Sequence, residues 1–406
     1  MMSEYLETLK QPAFRWLFSS IIFSNLATSI ANISLIWLAY NAFNSPLVIA
    51  IVLGALQLPA LLIGPFLGGL LDKFPKIQLM ILGNFINALV FIFLIFNPLI
   101  KSPHLIIFIG LLILSGAMKP LLIGGDSMII QDIFPNSSTR VPANALTTMS
   151  FDLTYIAGSL LSGLVIALGY GVKVYLIVGI LYAMVVLCLM RIKKYISQRK
   201  GVTSSVSFWH NLKDAGLIIL KNSELSIVLL MDFLWNMLLW AGLTVLLPVL
   251  VKHDLGASAQ VYGMLESMTS IGIVVGSFLI GQLTLHKQKL VISVVGAIAV
   301  HGLLFASLGL IGQLWLVAVL LIMIGLIVSP ALIYKVTFYQ QTFDQIARGA
   351  LFTIAGTITA ASYPLGIALT SALATIFTAH IGIIFELYGV IILIIAGGVM
   401  FKLRKR

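Results

Sequence analysis

The chain has 406 residues, 60% of them hydrophobic and only 9% charged, and its mean hydropathy is +1.11. A water-soluble domain carries roughly 25% charged residues, so a soluble globular protein is excluded. The net charge of +11 is strongly basic, but the places where the basic residues fall explain it without a nucleic-acid partner.

Apolar runs predict membrane helices over 14–42, 45–71, 77–97, 104–131, 143–169, 172–191, 225–250, 259–284, 290–310, 314–338, 349–376 and 382–401. Each reaches the roughly 20 residues that a bilayer crossing needs. The 34 glycines and 13 prolines are tolerated in such helices because neighbouring helices satisfy the freed backbone groups. The alternation of polar and apolar residues that a β-barrel requires is absent from the sequence. The first run is too long for a signal-peptide core and lacks a small-residue cleavage site, so it is expected to remain as the first span. Cys188 is the single cysteine, which rules out an intramolecular disulfide.

An even number of spans puts both termini on one side. Lys10, Arg15, Lys73, Lys76, Arg140, Arg191, Lys193, Lys194, Arg199, Lys200, Lys213, Lys221, Lys287, Lys289, Arg348 and the final Lys402, Arg404, Lys405 and Arg406 fall on that side. Only Lys101, Lys173 and Lys252 fall on the other. The positive-inside rule therefore predicts a multi-pass protein of the cell inner membrane with both termini in the cytoplasm.

The longest polar stretch, Arg191 to Glu224, divides the chain near its middle. It predicts an N-terminal six-helix bundle over 1–191, a cytoplasmic linker over 192–224 and a C-terminal six-helix bundle over 225–406. Within the linker, Phe208-Trp209-His210-Asn211-Leu212 reads as a short amphipathic segment lying at the membrane interface. Two motifs recur, one copy in each half. Gly68-Gly69-Leu70-Leu71-Asp72-Lys73-Phe74-Pro75-Lys76 closes the second span, and a degenerate copy, Gly281-Gln282-Leu283-Thr284-Leu285-His286-Lys287-Gln288-Lys289, closes the eighth. Arg140-Val141-Pro142-Ala143-Asn144-Ala145-Leu146 opens the fifth span and Arg348-Gly349-Ala350-Leu351 the eleventh. A repeat at half-chain spacing is what two pseudo-symmetric bundles require.

Gly68-x-Leu70-x-Asp72-Lys73-x-x-Lys76 resembles the cytoplasmic loop motif between spans two and three of the major facilitator superfamily. The resemblance covers essentially the whole chain. Gln57-Leu58-Pro59 with Gly64-Pro65, Pro142-Ala143-Asn144-Ala145-Leu146, and Pro364-Leu365-Gly366 resemble the bacterial macrolide-efflux and enterobactin-exporter branch. The resemblance implies an all-α fold of twelve transmembrane helices in two six-helix bundles. It also implies a conformational latch at Gly68, Asp72, Lys73 and Lys76, with the Asp72 carboxylate set against the N-terminus of span eleven. A carboxylate there gains roughly 0.3–2 kcal/mol. Three features depart from the family pattern. Pro75 stands where the family usually has Gly, Leu285 replaces the acid in the second copy, and Gly158-Ser159-Leu160-Leu161-Ser162-Gly163 lacks the antiporter proline.

Ionisable residues within spans are expensive, so each is a candidate for function. Lys119 and Asp126 lie two turns apart on span four, on roughly one face. Lys119 is expected to meet an anionic cargo, and Asp126 to gate or carry a proton; a permanent ion pair is the plain alternative. Asp152 lies about 14 Å into span five and is the leading proton-coupling candidate, with partnership to Lys119 as the competing role. Asp232 in span seven and Glu266 in span eight are further coupling candidates. Asn25, Thr28, Ser29 and Asn32 form a polar stripe on span one, continued by Trp37 and Tyr40. With Asn236 and Trp240 of span seven they are expected either to line a substrate cavity or to join helices by hydrogen bonds. A lone His301 more often joins helices as a neutral ring than carries protons. Lys335 and Glu386 read as charges near the interface.

The sequence contains no phosphate-binding loop, no metal-ligand cluster and no nucleophile triad, so no enzyme, cofactor or metal is expected. The expected function is a monomeric secondary transporter that exchanges protons for an amphipathic organic compound, a drug or a siderophore-like metabolite, and exports it by alternating access. An importer or facilitator on the same fold stays open, as does a membrane scaffold or sensor that no longer transports.

Overall fold

In a computed structural model of the protein, residues 2–96, 104–134, 137–195, 222–280, 287–342, 345–377 and 380–404 are described. All secondary structure among them is helical. A short amphipathic helix, α1 (Met2–Lys10), precedes α2 (Pro12–Phe43), α3 (Pro46–Lys73), α4 (Lys76–Phe96), α5 (His104–Ile133), α6 (Ser137–Val165) and α7 (Val174–Ile192). The second half holds α8 (Ser223–Asp254), α9 (Ala259–Ile280), α10 (Lys287–Leu308), α11 (Leu314–Thr342), α12 (Gln345–Ile376) and α13 (Gly382–Arg404).

Eleven helical stretches among the described residues are long and apolar enough to cross a membrane. One of them, Pro142–Ile192, runs to 51 residues, far more than one crossing needs. It breaks where Gly169 (φ 84°) and Gly171 (φ 48°) adopt positive φ, a conformation that side chains with a Cβ avoid. That break separates α6 from α7 and is consistent with twelve spans. The observed helices follow the sequence-predicted spans to within a few residues; α1 is an addition that the apolar pattern did not signal.

The outer surface carries many large apolar side chains, and some polar ones lie inside with the apolar core. Leu62 (68%), Ile106 (75%) and Phe278 (72%) are exposed, whereas Asp232, His301, Ser34 and Asn87 are buried. Apolar surface turned outward is stable only against lipid, and the helix is the structure that satisfies every backbone group there.

The chain divides into two compact units, Met1–Asn44 with Ile51–Ser204, and Ser45–Ala50 with Ser205–Arg406. In the first, α2 packs on α6 and α7, and α4 on α5 and α7. Phe14, Leu17, Ile77, Met80, Ile130, Phe134 and Leu189 form an apolar core at one end of that bundle. In the second, α11 packs on α9 and α10, α10 on α13, and α8 on α12. Small residues make these crossings close. A Cβ on Gly272 of α9 would strike the Ile322 carbonyl of α11, and one on Gly366 of α12 would strike the Met237 carbonyl of α8. Bilayer helices associate through such backbone approach because lipid gives them little hydrophobic drive to meet.

Candidate functional site

In the N-terminal unit the polar stripe of α2 divides into two sets. Thr28 shares a hydroxyl hydrogen bond with Tyr182 of α7 (3.2 Å), and Ser29 donates to the Tyr155 carbonyl of α6 (3.1 Å). Those two join helices. Asn25 and Asn32 are half-buried and have no hydrogen-bond partner among the described residues. Trp37 is buried and engaged.

Lys119, beside Pro120 in the middle of α5, is half-buried, as are Asp126 and Asp152. Among the described residues none of the three makes a hydrogen bond or ion pair, so neither the Lys119–Asp126 nor the Lys119–Asp152 pairing forms in this conformation. Of the expected latch, Lys76 at the first position of α4 pairs with Asp132 in the last turn of α5, at 3.1 Å. Asp132 had drawn no attention in the sequence. The surroundings of Gly68 and the side chains of Asp72 and Lys73 lie outside what is described. So do the linker segment Phe208–Leu212, most of the second motif copy from Gly281, and the side chain at Arg348.

The C-terminal unit holds a connected polar network. Asp232 is almost fully buried on α8. Lys335 Nζ of α11 donates to its Oδ1 at 2.5 Å, and Thr359 Oγ1 of α12 donates to its Oδ2 at 2.9 Å. Asn236 Nδ2, one turn along α8, donates to the Asp232 carbonyl (2.8 Å) and reaches Oδ1 at 3.4 Å. The Lys335 ammonium also lies over the Trp235 ring, 5.7 Å from its centroid. Trp235 is buried in turn and donates its indole N–H to His301 Nδ1 of α10 (2.9 Å). The His301 ring therefore accepts at Nδ1 and carries its proton at Nε2, the neutral helix-joining arrangement.

Lys335, which the sequence suggested only as a charge near the interface, is thus half of a buried pair. It lies about 10 Å inside one end of α11, and Asp232 about 14 Å inside the same end of the antiparallel α8. Opposite charges at matched depth in two spans were the signal that could have found the pair. Thr359 carried no such signal. Glu266 on α9 is half-buried and engaged, within electrostatic reach of Tyr363, whose hydroxyl meets Thr244 at 2.7 Å. Trp240 is half-buried, its ring 6.1 Å from both Trp235 and His301.

The backbone is interrupted close to each member of the network. Trp235–Trp240 of α8 is a π-helical turn, Pro330 lies inside α11 and Pro364 inside α12. Such turns and prolines leave backbone groups unpaired and let a helix bend.

A helical membrane fold of two units, each half of the chain carrying its own set of intramembrane polar residues, is the architecture of a secondary transporter. A family model described as the Major Facilitator Superfamily matches residues 17–366. The chain belongs to the major facilitator superfamily. As a superfamily member it is a multi-pass membrane transporter of small molecules, not an enzyme. It is 22% identical over 375 residues to the staphyloferrin A transporter of Staphylococcus aureus (strain NCTC 8325 / PS 47), covering 89% of this chain and 90% of that one. Its fold is shared with the nucleoside transporter NupG, at a TM-score of 0.76 and 13% identity over 97% of this chain and 99% of that one. A POT family transporter in complex with 5-aminolevulinic acid gives 0.72 at 12% identity, over 97% and 96%. A bacterial homolog of the human lysosomal transporter Spinster gives 0.69 at 14%, over 97% and 98%.

The Trp235–His301 bond yields a direct prediction. Replacing His301 with Leu leaves the indole N–H buried without an acceptor and lowers stability by about 1–3 kcal/mol. His301→Gln, which can accept, loses less. Thermal unfolding of the purified variants in detergent measures the difference.

Proposed function

We propose that the chain is a proton-coupled exporter, in the cell inner membrane with cytoplasmic termini, of an amphipathic organic compound that bears an anionic group and resembles a siderophore. The observation that carries this is Lys119, a half-buried cation in the middle of a membrane helix with no ion pair among the described residues. An intramembrane charge costs at least about 2.5–3.5 kcal/mol to insert and is kept where it meets cargo or ions. The staphyloferrin A relative supports a siderophore-like cargo. Asp126 and Asp152, equally without partners among the described residues, are the acids available to carry protons in the same unit. The bundles 1–191 and 225–406, joined through 192–224, would alternate access as a monomer.

Asp232–Lys335 favours a second reading, import of an anion together with a proton. An anion that takes Lys335 leaves a buried carboxylate behind, and a proton neutralises it, so the two load together. Inside-out vesicles with an imposed inward-acidic gradient separate the readings, with staphyloferrin A as the probe. Export by antiport predicts gradient-driven accumulation that collapses with a protonophore. Co-transport predicts accumulation only when the outside is acidic. Uptake that ignores the gradient in both polarities rejects proton coupling.

A further inference from the structure

We infer that Lys335 is an anion-receiving residue of the C-terminal unit, and that Asp232 is the internal carboxylate that occupies it until an anionic group of the cargo takes its place. The inference rests on the reading that the cargo is an organic anion, and it holds for either direction of transport.

The two ends of the pair differ in exposure. The Asp232 side chain is 2% exposed and the Lys335 side chain 16%. Both oxygens of the carboxylate are engaged. Lys335 holds Oδ1, Thr359 holds Oδ2, and Asn236 reaches Oδ1 from its own helix. The ammonium is less fully used. Of its three donors, one goes to Asp232 among the described residues, while the Trp235 face lies against it. A cation with donors unused among the described residues and part of its surface exposed, set on an aromatic wall, can take a second carboxylate without first being uncovered. If Asp232 lets go, its oxygens keep the Thr359 hydroxyl and the Asn236 amide, so the exchange never strips the carboxylate of all partners. Trp235 stays in place throughout because His301 holds its indole N–H.

A pair kept only as cement would not need these features. Buried ion pairs are commonly no more stabilising than apolar residues of equal volume, so retention of one calls for another explanation. The breaks beside it agree with exchange. The π-helical turn at Trp235–Trp240, Pro330 and Pro364 lie near all three contributing helices, so α8, α11 and α12 can yield when the pair opens.

The test compares two probes with one apolar body, 2-naphthoate and the neutral 2-naphthamide, binding to the purified full chain in lipid nanodiscs by calorimetry. Staphyloferrin A is titrated in parallel. Wild type should prefer the carboxylate by at least about tenfold. Lys335→Arg should keep that preference, and the neutral double variant Asp232→Asn, Lys335→Gln should lose it. The double variant removes both charges together and so avoids a stranded ion. No carboxylate preference in wild type, or one that survives in the double variant and disappears in Lys119→Gln, overturns the inference. A naphthoate preference that depends on Lys335 while staphyloferrin A fails to bind upholds the inference and removes the siderophore-like cargo.

Discussion

Lys335→Met should unfold at markedly lower temperature than wild type, and restoring neutrality with Asp232→Asn should recover most of the loss. The lysine variant leaves Asp232, a carboxylate with 2% side-chain exposure, held by the neutral Thr359 and Asn236 and without its ammonium partner. Breaking one side of a buried pair costs about 3–5 kcal/mol because the remaining charge has no counter-ion. Asp232→Asn alone strands the ammonium, but Lys335 is the more exposed end, so its penalty should be the smaller of the two. With both charges gone the desolvation penalty goes too. Thermal unfolding of the four forms in detergent, run as a double-mutant cycle, measures the coupling. A double variant no better than Lys335→Met would mean that the pair contributes through shape and not through charge.

Gly366→Val should disable the C-terminal unit from a position that carries no polar chemistry. A Cβ on Gly366 would strike the Met237 carbonyl and the Ala241 side chain. The carbonyl belongs to the π-helical turn of α8 and cannot rotate away as a side chain would. Overpacking of this kind costs about 1–3 kcal/mol. It also pushes α12 off α8, and with it Thr359 from Asp232 and Tyr363 from Thr244. Gly366→Ala should show a milder form of the same defect. Unfolding temperature and transport should fall together across the series, and a stable but inactive Gly366→Val would place the damage in the network alone.

The spans were legible in the sequence because a bilayer imposes both a length and a composition, and thirty apolar residues leave little else to form. Proline and glycine positions were legible too, but their consequences were not. Nothing in Trp235-Asn236-Met237-Leu238-Leu239-Trp240 announces a π-helical turn, nor that the turn packs on α12. Lys335 illustrates the limit for charges. Distance from a span's end gives depth, and depth alone suggested an interfacial lysine. Its partner is 103 residues away, on a helix whose direction and neighbour only the fold supplies. Lys119 shows the converse. It stood out as a cation inside an expected span, and the carboxylates that looked nearest, Asp126 and Asp152, are not bonded to it in this conformation. Thr28 and Ser29 belonged to one stripe with Asn25 and Asn32, and packing split that stripe by which side chains face a neighbouring helix.

Proton movement driven by cargo is the most direct measure of whether these membrane charges work in transport. Proteoliposomes loaded with a pH-sensitive dye would be given a staphyloferrin A gradient, with wild type compared against a folded Asp126→Asn, Asp152→Asn double variant. Wild type should move protons as cargo runs downhill, and the double variant should move far fewer protons per cargo or stop altogether. Equal proton and cargo fluxes in the two proteins would contradict the account, leaving Asp126 and Asp152 without a part in coupling.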